Sequence, residues 1–185
     1  RQMQLRKLTT RYVANEDRFL ISAEGDRGNI NLWLTQRLIK SLLPHLLEWL
    51  DPRTVYDDAR SAQLHAPPAE NASDNHVQNS SAPTPQLASQ LVAQTRKAVS
   101  QVDASKATQS ILVQTIHLQP RDDILRLIFE LPNEEAILLL QPEHLRIWLG
   151  ALYNGWHQAD WPDLWPDWMK QAHRVRSQYP APMMH

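Results

Sequence analysis

Residues 30–50 read Ile-Asn-Leu-Trp-Leu-Thr-Gln-Arg-Leu-Ile-Lys-Ser-Leu-Leu-Pro-His-Leu-Leu-Glu-Trp-Leu, and they decide the fold. From Leu38 onward the apolar residues recur every three or four positions, as they do on one face of a helix. Thr35 precedes this pattern and offers a hydroxyl as an N-cap, and Asp51-Pro52 ends it. The stretch therefore predicts a strand that leads directly into an apolar helix. The strand is indicated by alternate apolar residues: Ile30, Leu32 and Leu34.

A second stretch, residues 137–156, has the same order of patterns, with Pro142 at the favoured first position of its helix. A single constant shift of the numbering aligns the two stretches, although it also places Phe19 on Arg126 and Ile39 on Arg146. The sequence allows a genuine structural repeat or two unrelated strand–helix junctions with ordinary binary patterning. The matches include Leu20 with Leu127, Ile30 with Ile137, Leu32 with Leu139, Leu42 with Leu149 and Trp49 with Trp156.

We expect an α+β fold with two similar β-β-β-α units, each an antiparallel meander plus a helix, joined by a long flexible linker with one extra helix. Ser, Ala, Asn, Pro and Gln dominate residues 61–86, and such a composition cannot bury enough apolar surface to offset its chain entropy. The units would pack together or be exchanged between subunits. The expected boundaries are a first unit over 1–52, a linker over 53–86, a linker helix over 87–103, a second unit over 109–157 with strands at 111–119, 124–131 and 136–140, and a Trp- and Pro-rich tail of short turns over 158–185.

The composition sets limits on the class of protein. A chain of 185 residues suits one domain or two very small ones, and a net charge of −1 gives no global reason to bind nucleic acid or an acidic membrane. The absence of Cys excludes disulfides, thiolate metal sites and a cysteine nucleophile, and it fits a reducing compartment. No apolar run approaches the ~20 residues that span a bilayer. We therefore expect a cytoplasmic protein without a membrane span.

The sequence contains no catalytic motif that we can identify. The glycine-rich phosphate-binding loops, HExxH and GxSxG are all absent, and the histidines are scattered. Adjacent carboxylates occur at 57–58, 122–123 and 134–135, but all three pairs fall in predicted turns or loops, where solvated charge is the simpler interpretation. We expect no enzyme activity, catalytic residues, metal or cofactor; the alternative is an enzyme subunit whose site is shared with a partner.

Tryptophan is the most unusual feature, with seven residues in the chain. Trp is enriched at the centres of protein–protein interfaces, so we expect a non-catalytic protein-binding or assembly subunit, an adaptor whose partner is another protein or a second copy of the chain. The competing interpretation is that the tail folds back and caps the core of its own domain. The residues predicted to bind a partner are Trp161, Leu164, Trp165, Trp168, Trp33 and Trp148.

The N-terminal hairpin is locally basic, which suggests a second binding function. A basic sheet with interleaved aromatic residues, here Tyr12 and Phe19, is a surface on which single-stranded nucleic acid can stack. An ordinary solvated sheet face would have the same composition. The residues predicted to contact nucleic acid are Arg6, Lys7, Arg11 and Arg18.

Overall fold

The computed structural model describes residues 1–54 and 84–178, and its strands form one mixed sheet in the order β4-β3-β2-β1-β7-β6-β5. The predicted α+β class is confirmed. The first part contains β1 (Gln2–Val13), β2 (Arg18–Gly25), β3 (Gly28–Leu34) and α1 (Gln36–Leu50). The second part contains α2 (Pro85–Gln94), a 3₁₀ turn (Ala104–Lys106), β4 (Ala107–Leu112), β5 (Ile116–Arg121), β6 (Ile124–Glu130), β7 (Glu135–Leu140), α3 (Pro142–Gln158) and α4 (Asp167–Gln178).

The two groups of strands are joined by a parallel pair in the middle of the sheet. Residues 2–4 of β1 pair with residues 135–137 of β7 in parallel, whereas β1–β2–β3 and β5–β6–β7 are antiparallel. β4 adds to the outer edge of β3, again in parallel. The expectation of antiparallel meanders alone is therefore incomplete. Parallel partners lie far apart in sequence, and local patterns give no sign of them.

The alignment of the two halves that pairs Ile30 with Ile137 is wrong by one position. It would align Thr35, the N-cap of α1, with Pro142. The N-cap of α3 is Gln141, one residue earlier. Side chains alternate between the faces of a strand, so a slip of one residue exchanges the faces. Ile30 accordingly lies in the core, whereas Ile137 lies on the other face of the sheet. A displacement that is one residue shorter superimposes the two N-caps. It also places the facing pair Phe19 and Leu34 of the first half on the facing pair Leu125 and Leu140 of the second half.

One hydrophobic core lies on one face of the sheet and includes residues from both halves. Each fully buried Leu, Ile or Phe side chain stabilises the fold by about 1.5–3 kcal/mol relative to exposure, so this shared core binds the halves together. Its most buried residues include Phe19, Ile21, Leu32 and Ile39 from the first half, and Leu127, Phe129, Leu149 and Trp156 from the second.

Each long helix lies over strands of the other half. α1 lies beside β5, and Arg53 just beyond α1 donates through Nη2 to the carbonyl oxygen of Asp122 at 2.8 Å. α3 lies on the first hairpin, where the backbone of Gly155 approaches the ring of Phe19. The two halves are therefore interlocked by their helices as well as joined through the sheet.

The opposite face of the first half is covered by the chain between α2 and β4. Val102 is buried there, and its N–H donates to Thr9 Oγ1 at 2.7 Å. Asn31 Nδ2 donates to the carbonyl oxygen of Ala104 at 3.0 Å. This cover explains why Leu20, which points away from the main core, is only 3% exposed.

Three local predictions differ from the structure. The helix expected over 87–103 ends at Gln94, and the strand expected over 111–119 is divided between β4 and β5. The tail contains the regular helix α4, which begins after Pro166 with Asp167 in its first turn, a favourable place for an acid. The predicted linker over 53–86 lies mostly outside the described residues, as does the chain from 179 onward.

Candidate functional site

Trp161 packs against the first hairpin. Its ring lies edge-on to Tyr12, Phe19 and Trp156, with centroid distances of 5.5, 5.6 and 4.8 Å. Its Nε1–H donates to the carboxylate of Asp17 at 2.9 Å. Edge-to-face aromatic pairs contribute about 0.5–1.5 kcal/mol beyond the area that they bury. The tail thus caps the core of its own chain at this point, which is the interpretation that competed with partner binding.

Asp17 holds the tail and the hairpin together through its carboxylate. The residue has a left-handed backbone with φ of 50°, and it also accepts a hydrogen bond from the Tyr12 hydroxyl at 2.6 Å. The hydrogen bond from Tyr12, followed by the one from Trp161, lowers the pKa of Asp17, because both donors stabilise the charged form. The same bond to Asp17 raises the pKa of Tyr12.

The other tail residues are placed unequally. Trp165 is buried, with its ring edge-on to Tyr153 at 5.2 Å. Trp168 is half-buried, and the guanidinium of Arg146 lies 5.5 Å from its ring centre. Leu164 is 40% exposed. Among the tail residues that are predicted to bind a partner, Leu164 is therefore the one whose side chain is exposed to solvent.

Trp33 and Trp148 also have partners within the chain. The half-buried Trp33 donates through Nε1 to Ser110 Oγ at 2.9 Å, which ties β3 to β4. Trp148 is 5% exposed and donates to Thr10 Oγ1 at 3.1 Å. The partner-binding role of the indoles stays a prediction.

The basic residues of the hairpin do not share a surface with its aromatic residues. Arg6 and Arg11 are exposed, whereas Lys7 and Arg18 are half-buried and Lys7 Nζ donates to Ser100 Oγ. Phe19 has no exposed surface, so it offers no ring for a base. Tyr12 is half-buried and packs against Trp161. Nucleic-acid binding stays a prediction.

The described residues give no support for a catalytic or metal site. Within 1–54 and 84–178 there is no group of three or more His, Asp or Glu side chains that could hold a metal ion. Of the adjacent carboxylates, Glu134 forms an ion pair with Arg27, and 57–58 lie outside the described residues. In the same ranges no helix is both long and apolar enough to cross a membrane.

β5 is an edge strand of the described sheet. It pairs with β6 on one side, and no other described strand pairs with it. Glu130 N–H donates to the carbonyl oxygen of Thr115 at 3.1 Å. Bonded pairs alternate along an antiparallel ladder, so Ile116, Leu118 and Pro120 direct their backbone groups away from β6. Pro120 thus sits where its missing N–H faces the open edge, as expected for proline in an edge strand.

A groove runs between this edge and α1. Its volume is about 360 Å³, and the side chains of Ile116 and Leu118 form one wall, because they point to the core face of the sheet like their neighbours Phe129 and Leu127. In the sequence Ile116 alternates with Leu118, but nothing local indicates that this strand lies at an edge. The opposite wall comes from α1: Leu38, Ser41, Leu42 and His45.

Comparison with protein-family models, with curated proteins and with solved structures finds no match to this chain.

Proposed function

We propose that this protein is a non-catalytic binding subunit that receives an extended segment of a partner protein at the free edge of β5. The observation that carries the proposal is the combination of a strand edge with which no other described strand pairs and a groove beside it. The groove is lined by the apolar Leu38, Leu42, Ile116 and Leu118 and by the polar Ser41, His45 and His117. In strand addition, main-chain hydrogen bonds supply affinity and a pocket for alternate side chains supplies specificity. The expected setting is the cytoplasm.

The internal similarity of the chain supports this choice of edge. We take the two halves as copies of one β-β-β-α unit, since one common displacement relates the β2–β3 pairing to the β6–β7 pairing and also relates the two helix caps. β5 is then the counterpart of β1. The corresponding edge of β1 receives β7 as a parallel strand over residues 2–4. The edge of β5 is the equivalent position without a described occupant, and a partner strand would continue the same pattern.

The chemistry of the edge determines what the segment must contain. Ile116 and Leu118 each offer an outward N–H and C=O, whereas Pro120 offers only a C=O. The docked segment would therefore gain its main-chain hydrogen bonds at the beginning of β5 and separate from it near Pro120. Its alternate side chains would enter the groove against Leu38 and Leu42. An extended segment with alternating apolar residues meets both requirements.

The groove can be filled without removal of a core residue. Ser41 is an exposed groove residue, so Ser41→Trp would block the space while leaving Leu42 in place. Lys40→Trp adds the same indole on an exposed position of α1 outside the groove and serves as the matched control. The tagged wild-type protein and both variants would be purified from the native host, and proteins that stay bound in stoichiometric amounts would be quantified by mass spectrometry.

The expected result is a partner that the wild type and Lys40→Trp retain and Ser41→Trp loses. Amide hydrogen exchange of the complex should then show slower exchange at Ile116 and Leu118. A partner that Ser41→Trp retains equally, or protection confined to other parts of the sheet, would contradict the proposal. A second copy of the chain, detected by its mass in size-exclusion chromatography and lost with Ser41→Trp, would identify the occupant as the protein itself.

A further inference from the structure

A pocket of about 580 Å³ lies at the N-terminal end of α3, apart from the β5 edge. Val92 and Ala93 of α2 give it an apolar wall. Its volume falls within the ~300–1,000 Å³ of small-molecule sites. Its charged side chains come from different segments of the chain: Arg53, Arg96, Asp123, Glu143 and Arg146.

Among the described residues, Arg146 is a buried cation without an anionic partner. It is 2% exposed, and within the described residues its guanidinium forms no ion pair. Nη2 donates to the carbonyl oxygen of Arg53 at 3.1 Å and to Gln86 Oε1 at 2.7 Å, whereas Nη1 is buried and has no described partner. A buried charge without a counter-charge is costly. Burial lowers the pKa of Arg146 to about 10, so the group is still charged at neutral pH.

The surroundings of Arg146 add further donors for an anion. α3 begins at the pocket, and its N-cap Gln141 makes no side-chain capping bond, so the positive end of the helix dipole lies beside the pocket. Arg53 also lines the pocket. Its Nη1 and Nη2 donate to the carbonyl oxygens of Trp49 and Asp122, whereas its Nε is buried without a described partner. The pocket thus combines a helix N-terminus with two guanidinium groups, each of which has one buried nitrogen without a described partner.

The acidic side chains limit how much negative charge the pocket can accept. Glu143 forms an ion pair with Arg96, so the charges of these two groups offset each other. Asp123 has no ion-pair partner among the described residues, and it opposes part of the charge of Arg53 and Arg146. The charged side chains of the pocket therefore leave a net charge of one positive side chain, to which the positive end of the helix dipole adds. Such a site suits a single anionic group better than a chain of several.

We propose that this pocket binds the phosphoryl group of a small organic phosphate, held by Arg146, Arg53 and the first turn of α3. A tetrahedral phosphoryl group presents acceptors in several directions, which matches donors that converge from two guanidinium groups and a helix end. Val92 and Ala93 then face the organic part of the molecule. The site is separate from the partner-binding function proposed for the β5 edge, and either can fail without the other.

The test uses the full chain and inorganic phosphate as the probe, measured by isothermal titration calorimetry at constant ionic strength. Sodium chloride and acetate are titrated in parallel, to separate phosphate recognition from general screening and from carboxylate binding. The variants are Arg146→Met, which keeps side-chain volume and removes charge, and Arg53→Met. Arg37→Met, an exposed position on α1, is the matched control.

The expected result is saturable phosphate binding to the wild type and to Arg37→Met, weakened at least tenfold in Arg146→Met and in Arg53→Met, with no comparable binding of chloride. Should Arg146→Met fail to fold, the comparison of Arg53→Met with Arg37→Met still decides. No saturable binding to the wild type, or equal phosphate affinity in all four proteins, would overturn the proposal. Acetate binding as tight as phosphate would assign the site to a carboxylate instead and also overturn it.

Discussion

Replacing Gly155 with Ala tests the close packing of α3 on the first hairpin. A Cβ atom at this position would lie 2.4 and 2.6 Å from Cε1 and Cζ of Phe19, and 3.2 Å from Cβ of Tyr12. Phe19 is fully buried, with Trp161 edge-on to its ring at 5.6 Å, so its ring cannot move without disturbing a second aromatic contact. The substitution therefore forces either the helix or the aromatic cluster to shift.

The size of the effect follows from two opposing contributions. Overpacking a core costs about 1–3 kcal/mol, and contacts this short at Gly155 place the substitution at the upper end. Ala is favoured over Gly in a helix interior by about 0.8–1.0 kcal/mol. Gly155→Ala should therefore lower the free energy of unfolding by about 2 kcal/mol. Gly150→Ala on the same helix is the control, because its Cβ would meet only Gln90 Nε2 at 3.4 Å and Gln94 Nε2 at 3.8 Å; it should raise stability by about 1 kcal/mol.

The assay is urea unfolding of the full chain, followed by tryptophan fluorescence and far-ultraviolet circular dichroism. The two variants should differ by about 3 kcal/mol, which for a chain of this size corresponds to roughly 6–12 °C in Tm. If both substitutions stabilise the protein, or if their free energies of unfolding agree within about 1 kcal/mol, the close approach of α3 to Phe19 is refuted.

Three further predictions concern the tail and the helix caps. Because Tyr12 and Trp161 depress the folded-state pKa of Asp17, its stabilising contribution should be present above the unfolded pKa of 3.8 and disappear as the pH falls through the folded value. The stability difference between wild type and Asp17→Asn should accordingly vanish in strong acid, and an unchanged difference at pH 2 and pH 6 in thermal unfolding would contradict it. Trp165→Ala should cost about 3–5 kcal/mol in urea unfolding, because the side chain is 5% exposed and packed on the core; a loss below about 1 kcal/mol would show that the tail does not cap the core. Thr35→Ala removes the side-chain acceptor for the Leu38 N–H and should cost about 1 kcal/mol, and an unchanged unfolding midpoint would argue against the cap.

Local patterns in the sequence are sufficient to predict the strand that ends at Leu34 and the helix that follows it. They are also sufficient for the strand that ends at Leu140 and the helix after Gln141. Apolar alternation and helical spacing can be recognised within a short segment of sequence, and the structure contains the strands and helices that they predict. The sequence leaves the register between the halves ambiguous, because the second half is apolar on both faces of its strands. Ile128 and Ile137 on one face look like Leu127 and Leu138 on the other, so a slip of one residue cost few mismatches.

The candidate sites were harder to predict because they depend on contacts between distant segments. Nothing near Ile116 indicates that β5 lies at an edge. Arg146 is a charge between Leu145 and Ile147 within an apolar part of the helix, but it falls on Ile39 only in the register that is wrong by one position. The register of the two N-caps places it on the exposed Lys40, where a charge is unremarkable. In the structure this charge is buried beside Arg53, and the two residues are far apart in the sequence. The indoles of the tail are conspicuous in the sequence, but the packing of Trp161 depends on Tyr12 and Asp17 at the other end of the chain.

The interlocked helices have a consequence for synthesis on the ribosome. The apolar face of the first hairpin is complete once residue 34 has been made, but the helix that covers Phe19 begins only at Pro142. At ~5–20 residues per second, the growing chain presents this surface uncovered for roughly 5–20 s. The nascent protein thus passes through an interval in which molecules bound to the same polysome can associate through their hairpins, and this interval closes only when α3 arrives.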